Sequence, residues 1–391
     1  FKEMGNVTTE AWVIYASSNG STSPQPAELR KEEFSFSDVD EHEVLVEPVY
    51  GCWEANMTHA LERRPIDVCR YRGEEKVIIG NAGVVRVLKT GSSVSNVKTG
   101  DVCIVFCNGI WDENGFPERI LAYDAPNTMG VLAKRMKLHE KQLIKVPEGS
   151  RYSLQQWAAF SLRYITAWAN WQRAYGCWTT LWAEDSVGRP QVWGWGGGVA
   201  LAELSLAKLF GCEAAMISSV DERLCLIERM NLIPIDRRQF PNLNLDEAKY
   251  NSEPAYRKTY QEAEEIFLKI VEERTGQKGV SIFVDFIGVP VFRATLKALS
   301  RQGVITTAGW KQGMMTSTLR AVECMKWHVH VHTHYARYKQ GVDAVNFAEA
   351  NGWLPPVNGE AFDWDDIPRL AEDYRHGRLA TYFPIFRVND A

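Results

Sequence analysis

One glycine-rich segment, Gly194–Ala200, constrains the fold of this chain more than any other part of the sequence. An apolar run that ends at Gly194 predicts a strand before it, and the apolar spacing of Val199–Phe210 predicts a helix after it. Small residues at such a turn let the backbone approach a pyrophosphate, and the amides that begin the helix favour its negative charge. Trp195 is out of place in such a turn, and its large side chain either points outward or packs under the loop. The candidate dinucleotide-binding residues are Gly194, Gly196, Gly197, Gly198, Val199 and Ala200.

Strands and helices alternate on either side of this turn. The strand candidates are Val192–Gly194, Ala214–Ser219, Pro234–Asp236, Ser281–Asp285 and Gly303–Ala308. The helix candidates are Val199–Phe210, Glu222–Met230, Lys258–Glu273 and Val291–Ser300, with a polar stretch at Arg237–Tyr256. Strands separated by helices indicate a parallel sheet with crossover connections, which is a Rossmann-type, doubly wound α/β domain.

The two ends of the chain have a different pattern, and 391 residues are enough for about two domains. The first part is rich in β-branched runs, namely Ala11–Ala16, Glu43–Val49, Val77–Leu88 and Val102–Cys107, followed by a helix Leu154–Arg173 with Ser153 as N-cap. The tail predicts strands Trp327–Tyr335 and Tyr382–Val388 around a helix Ile367–Arg375. We therefore expect an outer domain made of residues 1–160 and 330–391, with a dinucleotide-binding domain, 161–329, inserted into it.

Composition excludes several classes of protein. The net charge of −5 leaves no basic face to neutralise the phosphates of a nucleic acid. No apolar run reaches the roughly 18–20 residues that cross a bilayer, and Phe1–Gly5 has no leader pattern, so a cytoplasmic location is expected. The eight cysteines form no Cys-x-x-Cys pair, which predicts free thiols rather than a zinc ribbon or a disulfide framework.

The end of the second strand predicts which nucleotide binds. An acidic side chain there selects NADH through the ribose hydroxyls, whereas neutral and basic side chains leave room for the 2′-phosphate of NADPH. Counting from Gly211, the selecting position falls on Ser218 or Ser219, and Arg223 follows one helical turn later, which favours NADPH. Asp221 is the alternative, because a strand two residues longer would bring it to the ribose and favour NADH.

Other candidate cofactor contacts lie at the carboxyl ends of later strands, where ligands of open α/β sheets collect. These are Ile287 and Gly288 after one strand, and Ala308, Gly309 and Trp310 after the next, with Thr166 as a further residue bordering the same cleft. His328, His330, His332 and His334 recur with a period of two, so they share one face of a strand. Neighbours on that face stand about 6–7 Å apart, which favours a polar face over a metal site.

This layout resembles the medium-chain dehydrogenase/reductase superfamily over nearly the whole chain. The resemblance implies a GroES-like β-barrel domain that contains an inserted Rossmann domain, and a homodimer. The zinc ligands of the zinc-dependent branch map onto Gly51-Cys52-Trp53 and Gly80-Asn81-Ala82, so Trp53, Asn81 and Ala82 stand where ligands are needed. The resemblance therefore implies a zinc-free member.

Among zinc-free members the chain is similar to the crotonyl-CoA carboxylase/reductase branch. The similar segments are Pro117–Asp124, Gly303–Ala308 and the insertion Arg237–Gly276. In that branch an Asn, a Phe-Glu pair and a late His surround the bound CO2, and their positions fall here on Asn56, Tyr123, Asp124 and His334. By this resemblance Asn56 bonds the carbonyl or enolate, Tyr123 or His334 donates a proton, and Asp124 orients its neighbour.

Three functions are open at this point. The first is an NADPH-dependent reductase of enoyl thioesters, carried on CoA or on a carrier protein, with capture of an electrophile by the enolate as a further step. The second is a reductase of free enones or quinones with the same fold. The third is a dinucleotide-binding protein without turnover that serves as a structural or regulatory partner.

Overall fold

A computed structural model describes residues 5–18, 25–182, 188–308, 325, 327–332, 335–357 and 359–391. The chain divides into two compact units. The first unit comprises Phe1–Ile165 and Ala336–Ala391, and the second comprises Thr166–Tyr335. Within the described residues, no helix combines the length and apolar character needed to cross a membrane.

The amino-terminal part of the first unit consists mostly of antiparallel strands. Its strands are β1 Asn6–Tyr15, β2 Arg30–Ser37, β3 Glu43–Cys52, β4 Lys76–Val77, β5 Gly83–Thr90, β6 Val102–Val105, β7 Asn108–Trp111, β8 Pro117–Ile120, β9 Met136–His139 and β10 Leu143–Lys145. Its helices are α1 Ala55–Glu62, α2 Val68–Arg72 and α3 Leu154–Phe160, and α4 Arg163–Trp182 begins in this unit. The main sheet runs β10-β6-β5-β3, β9 also pairs with β3, and β2-β1-β4 and β7-β8 form smaller sheets.

The second unit is built around a six-stranded sheet. Its strands are β11 Gln191–Trp195, β12 Glu213–Ser218, β13 Ile233–Asp236, β14 Val280–Asp285, β15 Leu299–Thr306 and β16 His330–His332. Its helices are α5 Gly198–Leu209, α6 Asp221–Arg229, α7 Glu247–Ser252, α8 Pro254–Thr275 and α9 Val289–Ala298. The strand order is β13-β12-β11-β14-β15-β16, and every pairing is parallel. Counted along the chain this is the order 3-2-1-4-5-6 of a Rossmann sheet, which confirms the predicted doubly wound architecture.

The tail returns to the first unit. It contains α10 Tyr338–Asn351, α11 Ile367–Arg375 and β17 Ile385–Arg387, and β17 pairs antiparallel with β3. Buried side chains of this tail, among them Leu370 and Phe386, belong to the same apolar core as those of β1, β3 and β5. Residues far apart in the sequence therefore build one core.

Several predicted elements need correction. The run Val77–Leu88 is not one strand, because the backbone turns at Gly80, where φ is +107°. The helix Leu154–Arg173 is interrupted at residues 161–162, where the Ser161 hydroxyl donates to the carbonyl of Val105 on β6. The strand predicted from Trp327 begins only at His330, where β16 starts, and residues 333 and 334 of that prediction lie outside the described residues. The predicted strand Tyr382–Val388 shortens to β17. Four helices were not predicted at all: α1 and α2 in the amino-terminal part, α7 within the polar stretch and α10 in the tail.

Candidate functional site

The glycine turn lies between β11 and α5, as predicted. Gly196 has φ +135°, and a Cβ at that position would lie 2.9 Å from Cβ of Phe286. A Cβ on Gly194 would lie 3.1 Å from Cβ of Val284, which belongs to the neighbouring strand β14. The turn therefore needs glycine at Gly194 for close strand packing, and at Gly196 both for packing and for its backbone conformation.

The start of α5 is open. Gly197 is its N-cap, and no described side chain caps the first-turn amides. A Cβ placed on Gly197 would meet no atom of the described chain within 4 Å. Gly198 and Ala200 are buried against the sheet, while Val199 is half-buried. The open cradle and the uncapped amides fit the pyrophosphate of a dinucleotide.

Trp195 packs under the turn, which decides between its two predicted orientations. Its indole is buried and stacks on Phe267, with ring centroids 5.1 Å apart and planes inclined by 27°. The indole Nε1 donates to Oγ1 of Thr295 at 3.1 Å, and that hydroxyl donates to Oδ2 of Asp285 at 2.8 Å. The bulky residue thus stabilises the core from below and leaves the cradle clear.

Asp285 shapes the loop after β14. Its Oδ1 accepts the backbone N–H groups of Ile287 at 3.0 Å and Gly288 at 3.1 Å. Burial raises the pKa of this carboxyl, although its hydrogen bonds act in the opposite direction. Ile287 packs into the apolar core, so only its backbone is presented at the carboxyl edge of the sheet, whereas Gly288 begins α9 with φ +100°.

Thr306, the last residue of β15, contacts a buried acidic residue that the sequence analysis did not single out. Glu203, on α5, is fully buried and accepts a hydrogen bond from Oγ1 of Thr306 at 2.8 Å. Burial raises the pKa of Glu203 to about 8. An acidic residue on an otherwise apolar helix was the signal that could have found it. Ala308 is half-buried beyond the strand, while Gly309 and Trp310 lie outside the described residues.

The second strand of the sheet ends where the spacing from Gly211 placed its end. Strand β12 ends at Ser218, which is nearly buried, and Ser219 is exposed. Asp221 is the first residue of α6 and does not extend the strand. The alternative prediction of a longer strand, which would have favoured NADH, is therefore wrong. Arg223 lies in the first turn of the same helix and is half-buried.

In the first unit, Asn56 is joined to the segment that carries Tyr123 and Asp124. Asn56 lies on α1, and its Nδ2 donates to Oδ1 of Asn81 at 3.1 Å. Asn81 is completely buried, and its own Nδ2 donates to the carbonyl of Leu121 at 3.2 Å. Asp124 accepts the backbone N–H of Ile120 at 2.6 Å, which closes the turn after β8. Tyr123 is half-buried against the apolar core.

The three positions that correspond to zinc ligands carry other side chains with interactions of their own. Trp53 is buried and donates from Nε1 to Oγ1 of Thr58 at 3.0 Å. Asn81 belongs to the amide chain just described, and Ala82 is buried. In the described part of the chain, no three His, Cys, Asp or Glu residues are grouped so as to hold a metal ion.

A buried ionic cluster lies beside these positions. Nη1 of Arg163 donates to Oε1 of Glu54 at 2.8 Å and to Sγ of Cys52 at 2.9 Å, and Nη2 donates to the carbonyl of Trp53 at 2.9 Å. Burial raises the pKa of Glu54 to about 7 and that of the Cys52 thiol to about 12, while Arg163 lowers both. Sequence reasoning missed this cluster, because nothing in the sequence pairs Glu54 with a residue 109 positions away.

The remaining candidates fall in the second unit. Thr166 lies on α4, and its carbonyl accepts Nδ2 of Asn170. His330 and His332 share one face of β16, with parallel rings whose centroids are 6.5 Å apart, as the period of two predicted. His328 precedes the strand with φ +56°, and His334 lies outside the described residues.

Similarity to solved structures extends over the whole fold. The structure of crotonyl-CoA carboxylase/reductase AntE in complex with NADP has a TM-score of 0.79 at 19% identity, covering 99% of this chain and 97% of that chain. The 2-octenoyl-CoA carboxylase reductase CinF, in complex with NADP and 2-octenoyl-CoA, has a TM-score of 0.78 at 16% identity, covering 97% and 87%. The alcohol dehydrogenase of Aeropyrum pernix has a TM-score of 0.72 at 18% identity, covering 97% and 99%.

No protein-family model matches the sequence, and no curated protein does. The class defined by the fold and the glycine turn is a two-unit α/β protein with a doubly wound parallel sheet. More particularly, the chain has the medium-chain dehydrogenase/reductase fold, with a GroES-like unit and a Rossmann unit. The fold that the sequence resemblance implied is therefore confirmed.

Proposed function

We propose that this protein is a zinc-independent, NADPH-dependent reductase that delivers a hydride to the β-carbon of an α,β-unsaturated thioester. The observation that carries the proposal is the open glycine cradle at Gly196–Gly198, which leads into the uncapped start of α5. The cradle lies at the carboxyl end of β11, where the strand order reverses and open α/β sheets bind their ligands. When bound there, NADPH supplies the hydride.

The choice of NADPH and of an enoyl thioester has separate support. Strand β12 ends at Ser218 and is followed by Arg223, so the strand end itself has no carboxylate. Two of the similar structures are carboxylase/reductases in complex with NADP, and one of these also contains 2-octenoyl-CoA. A thioester on CoA or on a carrier protein is the substrate class that follows from this support.

The amide chain gives Asn56 a defined role in the proposal. Asn81 is held by the carbonyl of Leu121, and it accepts one of the two amide hydrogens of Asn56. The second hydrogen of Asn56 is the donor that we assign to the thioester carbonyl, whose negative charge grows as the enolate forms. Because the chain of bonds fixes which end of each amide donates, Asn56 presents a donor without rotating first.

Protonation of the enolate at its α-carbon completes the reaction. We assign the proton to Tyr123, with His334 as the alternative donor, and Asp124 positions Tyr123 by closing the turn that precedes it. Addition of CO2 at the same carbon is the other outcome for the enolate. The protein works as a homodimer in this proposal, as the resemblance implied.

Measurement of nucleotide binding tests the role proposed for the open glycine cradle. Replacing Gly197 with alanine puts a methyl group into the open cradle without a contact inside the described chain, so the fold survives while pyrophosphate binding weakens by about tenfold or more. Gly359→Ala is the matched control, because its added Cβ also meets nothing within 4 Å, in the other unit. Titration with NADPH and NADH measures both variants. Wild-type protein that binds neither nucleotide, or a Gly197→Ala protein that binds as the wild type does, contradicts the cradle assignment.

Substrate class is tested by NADPH oxidation with crotonyl-CoA, a carrier-bound enoyl group, a free enone and a quinone. Turnover of the thioesters alone supports the proposal, and turnover of the enone or quinone alone supports the second function. Nucleotide binding with no turnover of any of them supports the non-catalytic function. A product heavier by the mass of CO2 when bicarbonate is present identifies carboxylation.

A further inference from the structure

Charged residues cluster at the carboxyl ends of β12 and β13, where Arg238 contacts Asp221 and Asp236. Asp236 ends β13 and lies beside Ser218, its partner in the parallel register of the two strands. Asp221 opens α6 directly after β12, and Arg223 follows in the same helical turn. Arg238 lies in the 3-10 turn that follows β13. This is the corner of the sheet at which a Rossmann domain recognises the adenosine ribose.

Arg238 holds both carboxylates at this corner. Its Nη2 donates to Oδ1 of Asp221 at 2.7 Å and to Oδ2 of Asp236 at 2.9 Å. Its Nε donates to Oδ1 of Asp236 at 3.0 Å, and the backbone N–H of Arg238 reaches the same oxygen at 2.9 Å. These hydrogen bonds lower the pKa of Asp236, so the carboxyl is ionised at neutral pH. The guanidinium therefore lies between two negative groups.

The consequence for a nucleotide is electrostatic. Two carboxylates at the ribose corner repel a 2′-phosphate and offer acceptors to the 2′- and 3′-hydroxyls, which is the arrangement that selects NADH. Arg238 offsets one of the two charges and donates to Oδ1 of Asp221 and to both carboxylate oxygens of Asp236. Arg223, in the same helical turn as Asp221, brings the number of cations at this corner to two, which matches the two carboxylates.

We infer that Arg238 determines the nucleotide preference of this protein by binding Asp221 and Asp236, which offsets one of their two negative charges and keeps their hydrogen-bonded oxygens from the ribose hydroxyls. This inference rests on the proposed function, in that it needs a dinucleotide on the glycine turn. Arg238 is then a specificity-determining residue. The spacing along β12 does not indicate it, because Arg238 lies in the turn after the next strand, β13. Asp221, which favours NADH in the sequence, becomes part of an NADPH site once Arg238 holds it.

The test is the dissociation constant of each nucleotide, measured by titration rather than by turnover. In Arg238→Gln, we expect NADPH to bind about tenfold more weakly and NADH to bind as well as, or better than, it does to the wild type. Adding Asp221→Asn and Asp236→Asn to Arg238→Gln removes the exposed carboxylates and restores NADPH binding. Arg229→Gln is the charge-matched control, because Arg229 is an exposed residue in the last turn of the same helix.

A second variant keeps the inference testable if Arg238→Gln does not fold. Asp221→Asn alone leaves Arg238 with one carboxylate fewer to neutralise, and we expect it to tighten NADPH and weaken NADH. The inference is overturned if Arg238→Gln weakens both nucleotides equally, if the ratio of the two constants is unchanged, or if the triple variant stays weak for NADPH. A wild-type protein that binds neither nucleotide instead overturns the proposed function.

Discussion

Two of the glutamates that are buried among the described residues, Glu54 in the first unit and Glu203 in the second, are held in different ways. Glu54 faces the guanidinium of Arg163 at 2.8 Å, so it is buried with a cation. Glu203 faces only the hydroxyl of Thr306, and among the described residues no donor reaches its second oxygen, Oε2. Burial raises both pKa values, to about 7 for Glu54 and to about 8 for Glu203.

The difference shows that burial alone does not decide the charge of a carboxyl. The positive charge of Arg163 offsets part of the cost of burying a charge at Glu54. In turn, the Glu54 carboxylate gives the buried guanidinium a counter-charge and a hydrogen-bond acceptor. Glu203 has no such partner, so it avoids the cost by remaining protonated at neutral pH. The first glutamate is one half of an ion pair, and the second behaves as a neutral polar residue.

The largest effect on stability is expected when the cation, Arg163, is removed. Arg163→Met leaves Glu54 buried without its partner, and we expect a loss of about 3–5 kcal/mol in the free energy of unfolding, measured with urea at neutral pH. The double variant Glu54→Gln/Arg163→Met should recover part of that loss, because no uncompensated carboxylate remains. A double variant no more stable than Arg163→Met would show that the cost lies in packing and not in the unpaired charge.

The second test is the pH dependence of Glu203→Gln. The folded pKa, about 8, lies above the ordinary value of 4.5, so the unfolded chain ionises first and the contribution of Glu203 to stability is lost as pH rises from about 4.5 to about 8. Glutamine resembles the protonated acid and removes this loss. We expect Glu203→Gln to exceed the wild type by about 1–3 kcal/mol at pH 8 and to equal it below pH 4.5.

Glu54→Gln is the matched control for that variant. It removes the same acid from an equally buried site, but it leaves the Arg163 guanidinium without a counter-charge. We therefore expect it to be less stable than the wild type at pH 8, where Glu203→Gln is more stable. Two variants that moved in the same direction would contradict the distinction between the glutamates.

The smallest test is Thr306→Val, which replaces the one hydroxyl that donates to Glu203 with a methyl group of similar shape. We expect a loss of about 1 kcal/mol at acid pH, because a buried oxygen loses its hydrogen bond. That bond also lowers the pKa of Glu203, so the pH-dependent loss of stability should extend to higher pH. If Glu203→Gln and Thr306→Val have additive effects in unfolding experiments, the two side chains are not coupled as their 2.8 Å contact indicates.

Local signals in the sequence predicted local features well. Ser153 caps α3 as expected, because its hydroxyl accepts the N–H of Gln156, and helix α11 has its predicted bounds. Helix capping, apolar periodicity and glycine turns act over a few residues, so they can be read along the chain. Val77–Leu88 failed as a single strand because the apolar residues on both sides of Gly80 were interpreted as one run, although Gly80-Asn81 is itself a turn signal and the backbone turns at Gly80.

The sequence by itself determined the alternation of strands and helices, the glycine turn at Gly194–Ala200, and the end of the second strand near Ser218 and Ser219. Only the tertiary structure decided that Trp195 packs beneath that turn, that Arg238 holds Asp221, that Arg163 holds Glu54 and that Thr306 holds Glu203. The physical reason is separation along the chain. Glu203 and Thr306 are 103 residues apart, and a hydrogen bond across that distance exists only once the sheet has brought the two elements together.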